Sequence, residues 1–312
     1  MIDPPTAAHA PGFEARFLSP RHWGTWFGLA LLWLVSWLPW PLRSALAWCL
    51  GWIGYWTGGR RRRFARINLE LCFPDLSAAE RRRLLRRHYF VRMRTMLDYG
   101  ILWWGSAGRI RRLVRLKGDN HFRKHHAKGR PIILLTCHSL GLDFGAARLT
   151  LEFPGIGLVK RARNPLADWL VQRGRTRFNA ALSLREQGLR PIVRAVRGGA
   201  FFYYLPDEDL GQRNAVFAPF FGVPAATLTT LGRLARLCDA VVIPSFTYYV
   251  RGRYENVLFP PLEHFPGDSP ASDAVRMNGH IEQLIQLAPA QYMWTMRLFK
   301  TRPDGGPAPY AL

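Results

Sequence analysis

Cysteine is scarce in this chain of 312 residues, which has only four: Cys49, Cys72, Cys137 and Cys238. Their spacing matches neither a zinc site nor a disulfide framework, so we expect a protein of a reducing compartment. Cys137 precedes His138 directly, but adjacent residues of a strand point to opposite faces of a sheet. We therefore expect Cys137 to be a small buried residue and not the partner of His138.

Acidic residues and lysines are also few. The chain has 21 aspartates and glutamates against 44 lysines and arginines, and its formal net charge is +23. Nearly all of the surplus is arginine, which binds phosphate through two parallel hydrogen bonds. Such a charge suits a nucleic acid, an anionic lipid or an acidic protein, and composition does not choose among them. Disorder is excluded, because 48% of the residues are hydrophobic and 12 are tryptophan.

Charge is missing altogether from residues 23–40. These 18 residues are at the short end of the length that spans a membrane, and tryptophans cluster at both ends, as they do at membrane interfaces. A second apolar run, 44–59, carries Trp48, Trp52 and Trp56 at intervals of four, which favours a helix lying in the interface. A very apolar soluble helical hairpin is the alternative.

Four consecutive arginines, Arg60–Arg63, follow these two runs. Basic residues beside membrane segments stay on the cytoplasmic side. We therefore expect three regions: a tail at 1–22, a membrane anchor of interfacial helices at 23–59, and a catalytic domain at 60–312 that faces the cytoplasm.

Short apolar runs alternate with helical patterns in the rest of the chain. Ser77 and Glu80 form a capping box at the start of a helix that reaches about Trp104, and a further helix is predicted at 269–287. Four buried strands are predicted, at 131–137, 155–159, 200–205 and 240–244. Residues 217–227 are interpreted as a loop that enters a helix. The predicted fold class is α/β: one domain with a mixed or parallel sheet, flanking helices and an N-terminal membrane-anchoring helical segment.

A histidine and a carboxylate follow the first of these strands. His138 lies where the strand should end, and Asp143 comes five residues later. In open α/β sheets the chemistry lies just beyond the carboxyl ends of the strands. With His138 in the turn and Asp143 in the next helix, the carboxylate can hold one imidazole nitrogen and leave the other as a general base. The alternative is a buried histidine with a capping aspartate nearby.

Charged residues also follow other predicted elements. Arg173, Arg175 and Arg177 alternate around Gly174, a pattern typical of an anion clamp. Asp207 follows the strand at 200–205, and we expect it to hold an arginine in place.

A metal site is not predicted. His121 and His125 are four residues apart, which would place both on one face of a helix, as in some metal sites. Arg123, Lys124 and Lys128 lie among them and would repel a cation.

Short motifs spread over residues 19–305 together resemble the lipid A late acyltransferases of Gram-negative bacteria. The motifs are Pro20–Trp26, Asn68–Pro74, His138-x4-Asp143, Asn164-Pro-Leu-x-Asp168-Trp169, Gly174-Arg-x-Arg177, Pro206-Asp-x-Asp209, Pro219–Gly222, Gln291–Trp294 and Phe299–Pro303. The lauroyltransferase-like members look closest. The chain departs from the family at Asp143, where many relatives carry glutamate, and at Met296 and Leu298, where a histidine and an arginine are usual.

The resemblance implies transfer of a fatty acyl group from an acyl carrier protein thioester to a hydroxyl of a Kdo-bearing lipid A precursor at the bacterial inner membrane. His138 would act as general base with Asp143 as its helper, and no metal or other cofactor would be needed. The implied substrate-binding residues are Asn164, Arg175, Arg177, Asp207 and Asp209. The expected partners are the acyl carrier protein, the lipid A precursor and anionic membrane lipid.

Two other functions remain open. A glycerolipid (lysophospholipid) acyltransferase would share the His138 and Asp143 pattern but not the motifs at 291–294 and 299–303. A non-enzymatic binder of nucleic acid or of a membrane surface would explain the charge. A nucleic-acid binder would not explain the tryptophan-rich N-terminus, so no nucleic acid partner is expected.

Overall fold

The computed structural model describes residues 12–162 and 164–310. The first half of the predicted tail, residues 1–11, lies outside the described residues. Within them the helices are α1 Trp23–Ser36, α2 Trp40–Thr57, α3 Gly59–Cys72, α4 Ala78–Trp104, α5 Ala107–Leu113, α6 Asp119–Ala127, α7 Leu142–Thr150, α8 Pro165–Arg175, α9 Arg190–Arg197, α10 Thr230–Cys238 and α11 Pro270–Gln286. The strands are β1 Val114–Lys117, β2 Ile132–Leu135, β3 Gly155–Val159, β4 Ala180–Leu184, β5 Phe201–Tyr204, β6 Ala215–Phe220, β7 Val223–Leu228, β8 Val241–Val250 and β9 Arg253–Leu258.

Seven strands form one sheet in the order β1-β9-β8-β2-β5-β3-β4. Neighbours run parallel except β8 and β9, which are antiparallel. All four residues of β2 are buried, as a strand covered by helices on both faces requires. The predicted α/β class, with a mostly parallel sheet and flanking helices, is confirmed, and β2, β3, β5 and β8 fall within or start at the four predicted strands.

The prediction for residues 217–227 is wrong, because they form most of a β-hairpin. Strands β6 and β7 pair in antiparallel register, with Pro219 opposite Pro224. The turn between them is Phe221 and Gly222, with φ of 49° and 75°. Two consecutive residues with positive φ make the tight turn that matches the twist of paired strands. The two prolines are tolerated because this sheet has only two strands, and both are edges.

Helix α4 joins the N-terminal helices to the sheet. It begins with the predicted capping box, in which Ser77 accepts from the Glu80 amide and Glu80 accepts from the Ser77 amide. Near its other end Asp98 pairs with Arg94, at 2.8 Å, and with Arg43 of α2. The hydroxyl of Tyr254 in β9 donates to the same carboxylate at 3.0 Å. Arg43, Arg94 and Asp98, called the buried ion cluster below, thus tie α2 and α4 to the sheet.

The two apolar runs form α1 and α2. Among the described residues, no helix combines the length and apolar character needed to cross a bilayer. Both helices pack on α4. Large apolar side chains of these helices and of the turn between them are exposed: Trp23, Phe27, Leu31, Trp33, Leu34, Trp37, Trp40, Leu42, Trp48, Trp52, Ile53 and Trp56. The end of the predicted tail is part of the fold, because Phe17 is buried against Leu166 and Trp169 of α8.

Candidate active site

The candidate site lies at the carboxyl ends of β2 and β5. These strands are parallel neighbours, with Leu135 opposite Tyr204. The Thr136 amide continues the ladder by donating to the Tyr204 carbonyl at 2.9 Å. Three residues beyond the paired positions, the same register brings His138 beside Asp207.

Asp207 holds His138 in two places. One carboxylate oxygen is 2.8 Å from His138 Nδ1, and the other accepts the His138 backbone N–H at 2.8 Å. A carboxylate only accepts, so Nδ1 carries the proton and Nε2 of the neutral ring keeps a lone pair. The Asp207 side chain is 2% exposed and the His138 side chain 25%. Asp207 therefore orients the imidazole from the buried side, and the other side of the ring remains accessible.

Two opposing effects set the pKa of His138. Burial alone lowers this pKa, but the negative charge of Asp207 and its hydrogen bond outweigh burial, so the pKa lies above its ordinary value. Burial alone raises the pKa of Asp207, and His138 outweighs it in the same way, so the pKa of Asp207 lies below its ordinary value. His138 is therefore a base whose protonated form, the imidazolium, is stabilised by Asp207.

The predicted pairing of Asp143 with His138 is wrong, because Asp143 is already bound elsewhere. Its Oδ1 accepts from Arg175 Nε at 2.9 Å, and its Oδ2 accepts from Arg175 Nη2 at 3.1 Å. Oδ2 also accepts from the hydroxyl of Tyr99 at 2.6 Å. The structure gives no hydrogen bond between Asp143 and His138 within residues 12–162. The prediction that Asp207 holds an arginine is wrong for the same reason, since Asp207 holds His138.

A close approach of two helices positions Arg175. It is the last residue of α8, and a Cβ at the preceding Gly174 would lie only 2.2 Å from Cδ1 of Trp103 in α4. Glycine therefore lets α8 rest on α4, beside Tyr99. The Arg175 side chain stays 34% exposed. The charge of Asp143 raises the pKa of Arg175, so the guanidinium remains a cation with donors to spare.

The other three residues predicted to bind substrate contact parts of the protein instead. Arg177 donates to the carbonyls of Leu102, at 2.6 Å, and Gly105, at 2.9 Å, at the end of α4. Asn164 caps α8 by accepting from two backbone amides. Asp209 accepts from the amide and the hydroxyl of Thr301, both at 2.7 Å. The contacts of Arg177 and Asn164 stabilise α4 and α8 beside the site. Those of Asp209 connect the C-terminal segment to the loop after β5.

A cavity of about 150 Å³ opens beside these groups. His138, Asp143, Arg175 and Arg185 lie in its wall, and Arg185 also pairs with Glu208 at 2.5 Å. Most of the rest of the wall comes from α7, β3, β4 and β5 and is small or apolar: Ala146, Ala147, Gly155, Ile156, Gly157, Leu158, Ala180, Ala181, Leu182 and Phe201. Sequence reasoning missed Arg185. Its one sequence signal was its place directly after β4, and β4 itself was not predicted.

Cys137 is buried, as predicted. It is fully inaccessible, and burial raises the pKa of its thiol well above the ordinary value. A thiol that stays protonated is a poor nucleophile.

A base, a cation and a largely apolar cavity thus lie together at the carboxyl edge of the sheet. Comparison with known proteins names the class of protein. The family profile described as bacterial lipid A biosynthesis acyltransferase matches residues 10–301. The chain belongs to this family, and it is an acyltransferase of lipid A biosynthesis.

The relatives are similar over almost their whole length. The chain is 37% identical to a lipid A biosynthesis lauroyltransferase of Escherichia coli, covering 96% of this chain and 99% of that protein. It is 36% identical to a lipid A biosynthesis acyltransferase of Haemophilus influenzae, with 94% of each covered. It is 30% identical to the myristoyltransferase of Escherichia coli, over 97% of this chain and 94% of that protein. The family predicted from the motifs is confirmed, while the names of the relatives differ in the acyl group.

Proposed function

We propose that this protein moves a fatty acyl group from the thioester of an acyl carrier protein to a hydroxyl of a Kdo-bearing lipid A precursor. The observation that supports this most is His138, held by Asp207 in the wall of an apolar cavity. A hydroxyl is a poor nucleophile at neutral pH, so it needs such a base at the moment of attack.

In the proposed mechanism, His138 Nε2 takes the proton of the acceptor hydroxyl as its oxygen attacks the thioester carbonyl. The carbon–sulfur bond then breaks, and the departing thiolate takes the proton from the imidazolium. Asp207, and not Asp143, stabilises the imidazolium that exists between these steps. No acyl group is attached to the enzyme.

Arg175 is the proposed anion-binding residue. Two of its five N–H donors are used by Asp143, and the others can bind the oxyanion that develops on the carbonyl, or a phosphate of the precursor. Asp143 and Tyr99 act as positioning residues, because their hydrogen bonds set the plane of the guanidinium. Arg177 is the weaker candidate, since both of its terminal nitrogens already donate to carbonyls. We propose that the alkyl chain of the donor lies in the apolar part of the cavity.

The N-terminal helices fit a protein that lies on the cytoplasmic face of the inner membrane. Their exposed tryptophans suit the interfacial zone, where an aromatic ring contacts lipid and its N–H contacts water. The net charge of +23 suits an acidic carrier protein and anionic lipid.

The test is a reconstituted reaction with purified protein. A Kdo-bearing lipid A precursor and lysophosphatidic acid are each offered as acceptor, and an acyl carrier protein thioester and an acyl-CoA are each offered as donor. Mass spectrometry should show one added acyl group on the lipid A precursor, with the carrier protein as the better donor. His138→Ala provides the inactive control. Acylation of lysophosphatidic acid alone would contradict the proposal.

A further inference from the structure

A groove between α3 and α4 gathers arginines that the reaction does not use. Its open volume is about 530 Å³. Five arginines line it against a single carboxylate, Glu70: Arg62, Arg63, Arg66, Arg81 and Arg82. We call it the arginine groove. Like charges brought together repel one another, so this arrangement favours a bound anion.

Part of the arginine groove is held in place by the protein itself. Arg81 donates to the carbonyls of Phe73 and Pro74, at 3.0 and 3.1 Å, at the end of α3. Arg62 donates to the Tyr55 carbonyl at 2.8 Å and lies over the rings of Tyr55 and Trp56. Glu70 reaches Arg66 only at 4.0 Å, and both side chains are about half exposed or more. The carboxylate therefore neutralises little of the positive charge.

An aromatic stripe on α2 runs into the arginine groove. Trp48, Trp52 and Trp56 are 62%, 43% and 61% exposed, and each contacts the next, with ring centroids 6.2 and 5.9 Å apart. Trp56 is also part of the groove wall. Tryptophan favours the depth of lipid headgroups, and arginine binds phosphate through two donors. Because the stripe continues into the groove, a membrane that received the three tryptophans would bring its headgroups to the arginines.

We propose that the arginine groove binds the phosphate of an anionic phospholipid at the membrane surface. Helical rise puts Arg82 roughly 25 Å along α4 from Tyr99, and Tyr99 donates to Asp143 in the wall of the candidate active site. The bound lipid is therefore not the reacting group. The aromatic border argues for lipid and against an acidic protein as occupant. This inference does not rest on the proposed acyl transfer, so the two can fail separately.

The test is co-sedimentation of the full-length protein with vesicles that contain no lipid A precursor. Phosphatidylcholine vesicles with and without phosphatidylglycerol are compared for wild type and for Arg66→Gln/Arg82→Gln. A basic side chain near an anionic surface contributes about 1 kcal/mol, so the double variant should lose about tenfold or more in affinity for phosphatidylglycerol vesicles. Binding to pure phosphatidylcholine should change little.

The matched control is Arg83→Gln/Arg87→Gln. Both residues are exposed and, by helical periodicity, lie on the opposite side of α4 from the groove-lining Arg82 and Leu85. This pair loses the same charge and should cost less than about threefold. Glutamine keeps the helix propensity, and Arg82→Gln alone, with an expected loss of about fivefold, replaces the double variant if that unfolds.

Three outcomes would overturn the proposal. Equal losses in the two double variants would show that only diffuse charge matters. Wild-type binding of the Arg66→Gln/Arg82→Gln variant would show that the groove holds no lipid phosphate. Loss of binding to a purified acyl carrier protein, with vesicle binding intact, would make the groove a protein-docking site.

Discussion

The buried ion cluster and the proposed reaction centre use the same chemistry for different purposes. The proposed reaction centre consists of the pairs His138–Asp207 and Arg175–Asp143. Both pair cations with carboxylates, and in both a tyrosine hydroxyl donates to a carboxylate, Tyr254 to Asp98 and Tyr99 to Asp143. In the buried ion cluster the side chains of Arg94 and Asp98 are fully inaccessible. At the reaction centre His138 and Arg175 remain partly exposed and line a cavity.

The two sites differ in whether a substrate can still reach the cations. In the buried ion cluster Asp98 accepts from Arg43, Arg94 and Tyr254, and no substrate can reach the group, so the ions serve to connect elements. At the reaction centre each carboxylate orients a group whose other face is open. Buried charge by itself is therefore a poor guide to catalysis, and access from a cavity is the better one. The following predictions separate the two roles.

The largest effect is expected for His138→Ala. Loss of a general base lowers rates by about 10²–10⁴-fold, so kcat/KM for acyl transfer should fall at least that far. The melting temperature should fall less than for Asp98→Asn, because the side chain borders a cavity from which water can reach Asp207. Thermal unfolding and steady-state kinetics on the same preparation test both parts. An active variant would exclude His138 as the base.

Asp98→Asn should reverse this pattern. Removing one partner of a buried ion pair costs about 3–5 kcal/mol, here because Arg43 and Arg94 would lose their counter-charge. The melting temperature should therefore drop clearly, while the rate per folded molecule at low temperature stays close to wild type. Differential scanning fluorimetry with parallel kinetics measures both. An unchanged melting temperature together with lost activity would mean that the buried ion cluster belongs to the catalytic machinery.

Arg175→Lys tests the anion-binding role. Lysine keeps the charge but loses the planar fork that fits Asp143 and the proposed oxyanion. Removing one donor from an oxyanion site costs about 10²–10³-fold in kcat, and we expect a loss of this order with a smaller change in KM. Arg177→Lys is the control and should affect stability more than rate. Wild-type kinetics for Arg175→Lys would remove Arg175 from the site.

Cys137→Ala should have the smallest effect. The thiol is buried, and its raised pKa keeps it protonated, so kcat should stay near wild type with a small loss of stability. Incubation of the enzyme with labelled acyl donor alone should leave no label on the protein. A labelled Cys137 or Ser139, found by mass spectrometry, would contradict direct transfer.

Much of the sheet was predictable from the sequence, since β2, β3, β5 and β8 begin as short apolar runs. Strands β1, β4 and β9 of this sheet were not predicted, and β4 and β9 were missed for different reasons. Strand β4 is Ala-Ala-Leu-Ser-Leu, and short residues with a serine give a weak pattern. Strand β9 alternates buried and half-buried residues and carries charge, which is typical of a partly exposed strand rather than a buried one. Without β4, the cavity wall and Arg185 could not be foreseen.

The partner of His138 could not be predicted, because it depends on strand order. Asp143 is five residues away and Asp207 is 69 residues away, so proximity in the sequence favoured Asp143. Both carboxylates were recognised as following predicted elements. Only the pairing of β2 with β5 shows that Asp207 shares the register of His138, and the single sequence carries no signal for that pairing.

The most direct test of this account is the pKa of His138, measured by NMR titration of histidine-labelled enzyme, with His138→Gln to assign the resonance. The negative charge of Asp207 favours the imidazolium and raises this pKa. In Asp207→Asn the pKa should therefore fall, and the neutral ring should persist to lower pH. In Asp143→Asn it should stay close to wild type, because Asp143 is bound to Arg175 and Tyr99. The opposite result, a fall in Asp143→Asn and none in Asp207→Asn, would contradict the assignment of Asp207 as the partner of the base.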